Sequence, residues 1–180
     1  MKRFIAIGLL SIAVATPGYA ALNVGSHAPD FTTQASLGGK VFTFSLATAL
    51  KKGPVVLYFY PAAFTKGCTM EAHDFAAAMD KYKALGASVI GVSHDGIKKL
   101  NKFSVSECRS KFPVASDADQ HIMKAYDAVL AAKPQYANRT SYVIVPDGKI
   151  IYTYTNLHPD QHVGNTLAAL REWQAKRSTD

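Results

Sequence analysis

Apolar and polar positions along the chain fall into two periods. Val55-Val56-Leu57-Tyr58-Phe59-Tyr60 is a continuous apolar run, closed by Pro61 and opened after Gly53-Pro54. A short run of this kind between turn signals predicts a strand buried on both faces. Ser88-Val89-Ile90-Gly91-Val92-Ser93 predicts a second central strand. Between them the period turns helical from about Lys66 to Leu85, with Phe75, Met79 and Tyr82 on one stripe and Gly86 as the stop. A further helix carries Ile97, Leu100 and Phe103, with Asp95 as its expected N-cap. Val114–Ser116 reads as a short strand and Asp119–Tyr126 as a short helix. Ser141–Val145 and Ile150–Thr155 flank Pro146-Asp147-Gly148-Lys149, the pattern of a hairpin with a tight turn. Val163, Leu167, Leu170 and Trp173 give the last helix, Gln161 to Lys176. Ahead of all this, Gly25 to Thr33 reads as extended, and Gly38-Gly39-Lys40 as a hairpin turn leading into the alternating Val41-Phe42-Thr43-Phe44. Strand–helix–strand alternation followed by a late hairpin predicts an α/β fold: a mixed central sheet of the thioredoxin type with helices on both faces.

Composition supports one packed domain. The chain has 180 residues, 48% hydrophobic and 18% charged, enough for a real core and too short for two full domains. A net charge of +7 suits anions, but the basic residues are scattered. The densest cluster, Lys98, Lys99 and Lys102, lacks the interleaved aromatics of a nucleic-acid site, so no nucleic-acid partner is expected. Two cysteines exclude a disulfide-dense scaffold and any four-cysteine metal site.

The first twenty residues have the three-part pattern of a secretory signal. Lys2 and Arg3 precede the apolar run Phe4–Ala15, and Gly18-Tyr19-Ala20 puts small residues at the positions a signal peptidase reads. The run is shorter than the ~20 residues a membrane span needs, so cleavage is expected rather than anchoring, with no membrane span afterwards. The expected organisation is residues 1–20 as a signal peptide and 21–180 as one exported domain. The short basic start suggests the bacterial periplasm, an oxidising compartment in which a free thiol needs a purpose or a reductant.

The chemistry concentrates where the first central strand turns into its helix, in Pro61-Ala62-Ala63-Phe64-Thr65-Lys66-Gly67-Cys68-Thr69-Met70-Glu71. Sites of open α/β sheets gather at the carboxyl ends of the strands. Cys68 falls in the first helical turn, where unpaired backbone N–H groups and the helix dipole favour a thiolate. Thr65 is placed to hydrogen-bond the sulfur or a bound oxygen, and Pro61 to shape the loop and shield the sulfur from water. A thiolate so placed can attack a peroxide O–O bond and become a sulfenic acid.

Pro61, Thr65 and Cys68 in the pattern Pro-x-x-x-Thr-x-x-Cys, continued by Glu71 and Phe75, resemble the active-site signature of the peroxiredoxins. Gly25-Ser26-His27-Ala28-Pro29-Asp30-Phe31 is similar to the opening segment of that family, and Asn138-Arg139-Thr140 with the hairpin after it to its late Arg-Thr strand. The likeness runs from about Val24 to Trp173. It is greatest to the bacterioferritin-comigratory, or Q-type, group of the alkyl hydroperoxide reductase–thiol-specific antioxidant proteins. The resemblance implies a thiol-dependent peroxidase without metal or organic cofactor, acting on hydrogen peroxide or organic hydroperoxides. Its reductant would be a thioredoxin-like protein or glutathione, and its assembly a monomer or homodimer. By the same resemblance Cys68 is the peroxidatic cysteine, and Thr65 and Arg139 bind the peroxide oxygens and stabilise the thiolate. Glu71 is expected to support the helix terminus and loop rather than to carry a proton.

The chain departs from the commonest Q-type pattern five residues after Cys68, where His73 replaces the resolving cysteine. Cys108 is the other thiol and is open to two readings. It is a candidate resolving cysteine, as in relatives that carry one on the following helix. It is equally a buried structural residue: in a helix unbroken from Asp95 it lies ~20° from Ile97 on the apolar face at ~100° per residue. His158 and His162 are expected to be solvated loop histidines; for His94, which follows a strand end, a place near the pocket rim is the lesser reading. Cys-x-x-x-Cys and Cys-x-x-Cys are both absent, since Ala72 and Glu71 stand at those positions. The competing class is a non-catalytic thioredoxin-fold protein that binds a metal or redox partner through Cys68.

Overall fold

A computed structural model describes residues 21–178. The signal-peptide expectation for residues 1–20 lies outside the described residues. A seven-stranded mixed sheet runs in the order β2-β1-β5-β4-β3-β6-β7. Its strands are β1 (Thr32–Leu37), β2 (Lys40–Ser45), β3 (Val55–Phe59), β4 (Ser88–Ser93), β5 (Val114–Ser116), β6 (Thr140–Ile144) and β7 (Ile150–Thr155). The helices are α1 (Leu46–Leu50), α2 (Lys66–Ala84), α3 (Ile97–Ser106), α4 (His121–Ala125) and α5 (His162–Arg177). The parallel pairs are β3 with β4 and β4 with β5; every other pair in the sheet is antiparallel.

β3 shows why an unbroken apolar run is needed at the centre. Val56, Tyr58 and Tyr60 point into the layer that holds Phe75, Met79, Phe103, Phe112 and Leu167, under α2, α3 and α5. Val55, Leu57 and Phe59 point the other way, onto Leu46, Leu50, Met123 and Tyr126, under α1 and α4. Each face of β3 therefore meets a helical layer, and neither can be polar.

Packing under α2 is aromatic. Tyr58 stacks on Phe75 at 4.4 Å between ring centroids, and Phe75 on Tyr82 at 5.9 Å. Gly91 of β4 lies directly beneath this stack. A Cβ there would sit 2.6 Å from the Tyr58 ring. The ring has no free space to yield, because Tyr60 and Phe112 close its other sides. Gly91→Ala is therefore expected to lower stability by roughly 1–3 kcal/mol through overpacking, read as a shift in the urea midpoint at constant slope.

Two local expectations change. Ser45 starts a five-residue helix, α1, which the hydrophobic period did not reveal; its Oγ accepts from the Thr48 amide at 3.2 Å. Asp95 does not cap α3. Gly96 occupies that position without a side-chain cap, and the Asp95 carboxylate is engaged elsewhere.

Candidate active site

β3 ends at Phe59, and the Tyr60 amide still donates to Val92 of β4 at 3.1 Å. Pro61 then releases the chain into a tight corner. Phe64 takes a left-handed backbone, with φ of 68°. A bulky residue there stores of order 1–3 kcal/mol of strain, held in place by the edge-on contact of its ring with Phe103 at 5.2 Å. Asp95, at the end of the neighbouring β4, fastens the corner. Its Oδ2 accepts from the Ala63 amide at 2.7 Å and from the Ser93 hydroxyl at 2.8 Å, and its Oδ1 from Lys99 Nζ at 2.7 Å. His94 Nδ1 donates to the Pro61 carbonyl at 3.1 Å, which puts this histidine at the rim of the same loop, the lesser of its two readings from sequence. The signal for Asp95 was its place at a strand end beside β3, misread as a helix cap.

α2 opens with Thr65 as its N-cap residue, and the Thr65 side chain caps none of the first-turn amides. Its hydroxyl donates instead to the Ala62 carbonyl at 2.9 Å. The expected bond from this hydroxyl to sulfur is therefore not the one it makes. With its proton committed, the hydroxyl offers lone pairs and can only accept from a further group. The first-turn amides stay open to an anion at the Cys68 position. Cys68 itself is 2% exposed.

Arg139 reaches this sulfur because of strand order. β6 lies beside β3 with Phe59 opposite Thr140, so the residue before β6 stands at the carboxyl end of β3. Arg139 is 3% exposed, and each of its three guanidinium nitrogens has a partner. Nε donates to the Leu157 carbonyl at 2.9 Å, one terminal nitrogen to Glu71 Oε2, and the other to Cys68 Sγ at 3.6 Å. Gly67 makes the approach possible, since a Cβ on it would stand 3.1 Å from the guanidinium. The sequence offered no clue to this role of Gly67.

Behind the arginine lies a polar group set. Glu71 is fully buried and pairs with Arg139, where the sequence suggested support of the helix terminus and loop; burial raises its carboxyl to about 8 even though Arg139 opposes the shift. His162 is not a solvated loop residue. It is completely buried at the start of α5, bonded to Ser141 Oγ at 2.8 Å and to the Asn156 carbonyl at 2.9 Å. Its sequence neighbours, Pro159 and Asp160, signalled a surface turn, and its burial depends on α5 packing against β6. His158, by contrast, is exposed.

Burial lowers His162 to about 4, so the folded protein holds the ring neutral where an unfolded histidine starts to protonate near 6.5. Between those two values the unfolded chain binds more protons, and stability is lost as pH falls. The expected size is about 3 kcal/mol across the window, at 1.36 kcal/mol per pH unit. Urea titrations at pH 6.5 and 4 should show wild type losing that much more than His162→Gln; equal losses would remove His162 from the acid limb.

Cys108 lies past the end of α3, which stops at Ser106, so the unbroken helix considered above does not form. It is nevertheless fully buried, in the same layer as Cys68, and its amide donates to Phe103 at 3.0 Å. Both thiols are free, and burial pushes that of Cys108 well up. His73 bonds Glu107 at 2.9 Å and so ties α2 to the residue next to Cys108.

Residues 24–153 match the AhpC/TSA family over most of the chain. The chain belongs to the AhpC/TSA family. Its relatives in that family are Q-type peroxiredoxins, the group to which the motif pointed. It is 35% identical to the chloroplastic peroxiredoxin Q of wheat (Triticum aestivum) over 148 residues, 82% of this chain and 66% of the wheat protein, just under two thirds of its length. It is 32% identical to the peroxiredoxin Bcp of Xanthomonas campestris over 123 residues, 65% of this chain and 76% of that one. The crystal structure of peroxidoxin BcpB from Mycobacterium tuberculosis superposes with a TM-score of 0.75 at 32% identity, covering 83% of this chain and 96% of that one. The AhpC/TSA fold is thus the thioredoxin-like peroxiredoxin fold expected from the order of elements.

Proposed function

We propose that the protein is a thiol-dependent peroxidase in which Cys68 reduces hydrogen peroxide or organic hydroperoxides. The observation that carries this reading is the guanidinium of Arg139 held between Cys68 and Glu71 at the mouth of a helix whose first-turn amides have no side-chain cap. A fixed positive charge and open amides converge where a sulfur and then a departing oxygen carry negative charge. In the step itself a lone pair of the Cys68 thiolate forms the S–O bond and the O–O bond breaks. Its electron pair leaves on the second oxygen, which takes one proton and departs as alcohol or water. Cys68 is left as a sulfenic acid. Thr65 accepts a hydrogen bond from the hydroperoxide O–H and orients it, Arg139 steadies the departing oxygen, and Pro61 walls off the sulfur. No metal or organic cofactor enters.

Two thiols then return Cys68 to its reduced form. Cys108 is one source and an external thiol, from glutathione or a thioredoxin-like protein, the other. Cys108 acts as resolving cysteine only if its segment leaves the core, because bridged cysteines need Cα atoms within about 7 Å and suitably turned Cβ atoms. The motion is local: Cys108 sits outside α3, and the contacts it breaks include the His73–Glu107 pair, the 3.0 Å bond to Phe103 and the 2.9 Å bond from the Lys111 amide to the Cys108 carbonyl. The lysine–arginine start, apolar run and small-residue cleavage site of residues 1–20 support export to a periplasmic space, where the reductant would be an exported thiol protein or glutathione.

The test is intact mass after one equivalent of peroxide, followed by peptide mapping without reductant. Gain of one oxygen or loss of two hydrogens on Cys68 supports the peroxidase, and an unmodified Cys68 overturns it. A linked Cys68–Cys108 peptide is expected if the chain resolves itself, and Cys108→Ser should then accumulate sulfenic acid, and sulfinic acid when a second equivalent is added. A free Cys108 beside an externally capped Cys68 would leave a one-cysteine enzyme.

A further inference from the structure

The group set behind Arg139 contains one cation and two acids. Arg139 donates to both Glu71 and Cys68, and all three are buried. Two anions on one guanidinium, out of water, would leave an uncompensated buried charge.

The second Glu71 oxygen shows how this is avoided. Oε1 is fully enclosed and has no hydrogen-bond partner. His162 Nδ1 lies 3.8 Å from it. That nitrogen carries no proton. The Asn156 carbonyl can only accept, so the ring hydrogen is on Nε2, and Nδ1 of the neutral ring is a lone pair that takes the Ser141 hydroxyl hydrogen. Nδ1 and the Ser141 hydroxyl hydrogen satisfy each other, so an ionised Oε1 would be a buried charge without a donor. A proton on Oε1 removes that charge.

We propose that Glu71 and Cys68 share a single buried negative charge under Arg139, so that Glu71 carries a proton on Oε1 when Cys68 is a thiolate and releases it when the sulfur becomes neutral. This rests on the peroxidase reading and supplies its proton balance. Ionisation is Cys68–SH plus Glu71–COO⁻ giving Cys68–S⁻ plus Glu71–COOH, with no change of charge in the site. Attack gives Cys68–SOH and RO⁻. The sulfur now being neutral, Arg139 draws the charge back to Glu71, and the proton so released balances the one that converts RO⁻ to ROH. Nothing is taken from or left in bulk water. Glu71 touches no substrate and acts through Arg139, as a positioning residue that stores a proton.

The surroundings agree from each side. On α2 itself Asp74 raises the carboxyl further, and Arg139 ahead of β6 lowers it. Tyr82 on α2 and Tyr58 on β3 face Glu71 but are held protonated by burial. His162 of α5 is held neutral by burial and by Arg139. Desolvation prevails over Arg139 and keeps Glu71 able to hold a proton near neutral pH.

The experiment is isotope-edited infrared spectroscopy with carboxyl-labelled glutamate, following the carboxylic-acid carbonyl band of Glu71 against pH. Glu71→Gln identifies the band by its loss. In reduced wild type the band should persist to at least about one pH unit higher than in Cys68→Ser, the signature of two sites that interact. Oxidation with one equivalent of peroxide should move the wild-type midpoint down to that of Cys68→Ser. Coinciding midpoints in reduced wild type and Cys68→Ser would overturn the proposal, as would an absent band. If Glu71→Gln fails to fold, the Cys68→Ser comparison still decides. That comparison uses no peroxide, so it stands apart from the peroxidase test: a Cys68 inert to peroxide would defeat the proposed function and leave the shared charge to be read from the same spectra.

Discussion

Cys68→Ser is expected to bring peroxide consumption with a thiol donor down to the level of the protein-free blank. A serine hydroxyl at the same position fits the space but is not ionised near neutral pH, and the alkoxide is not within reach of one guanidinium and the open turn of a helix. The oxygen is also a poor nucleophile toward a peroxide bond, whereas a thiolate is soft and polarizable. Folding should survive, since the substitution is nearly isosteric and Cys68 is one small member of a layer filled by Tyr58, Phe75 and Tyr82. Consumption of hydrogen peroxide and of an organic hydroperoxide checks the loss, with circular dichroism as the control for the fold. Undiminished turnover in a folded Cys68→Ser protein would move the chemistry away from this corner. A second Cys108→Ser protein should still reduce its first equivalent of peroxide, because the resolving step comes after the O–O bond has broken.

The parts of this molecule that could be read from its residues are those whose environment is uniform. β3, β4 and β6 are buried on both faces, so apolar side chains occupy consecutive positions and the strands announce themselves. α2 and α5 are long enough for their period to show. The motif at Pro61–Cys68 was visible because its chemistry needs particular residue types at fixed spacing. What stayed hidden depends on contacts distant in the chain. α1 is one turn and a fraction, too short for any period, and exists because Leu46 and Leu50 fill the layer beneath β3. Asp95 has the right residue type for a helix cap, and only the return of the Pro61–Thr65 loop beside β4 turns its carboxylate toward Ala63. His162 sits in a polar stretch near a proline; its burial follows from where α5 lands on β6. Gly67 looks like an ordinary glycine until Arg139 arrives from a strand seventy-two residues later.

Replacing Arg139 should separate the two things it does. Arg139→Met keeps most of the side-chain volume and removes the charge and all three donor contacts, to Leu157, Glu71 and Cys68. Losing one preorganised donor at a site of developing negative charge typically slows a reaction about 10²–10³-fold, and a drop of that size is expected in the second-order rate with peroxide, measured by stopped flow. Stability should change as well, and in a pH-dependent way. Without its partner Glu71 is a buried carboxyl with only burial and Asp74 acting on it, both upward, so its protonation shifts further up than the present value of about 8. The folded state then holds a proton that the unfolded chain releases above about 4.5, and stability falls as pH rises through that interval. Wild type already holds that proton up to about 8, so the extra alkaline loss in Arg139→Met should open only above about pH 8 and reach about 1 kcal/mol by pH 9, at 1.36 kcal/mol per pH unit. Adding Glu71→Gln removes the group that must ionise and should restore the alkaline stability. It should not restore the rate, because the amide supplies no charge beside Cys68. A double variant that recovered both would mean that Arg139 only neutralises Glu71, and that the 3.6 Å contact with the sulfur contributes nothing to the chemistry.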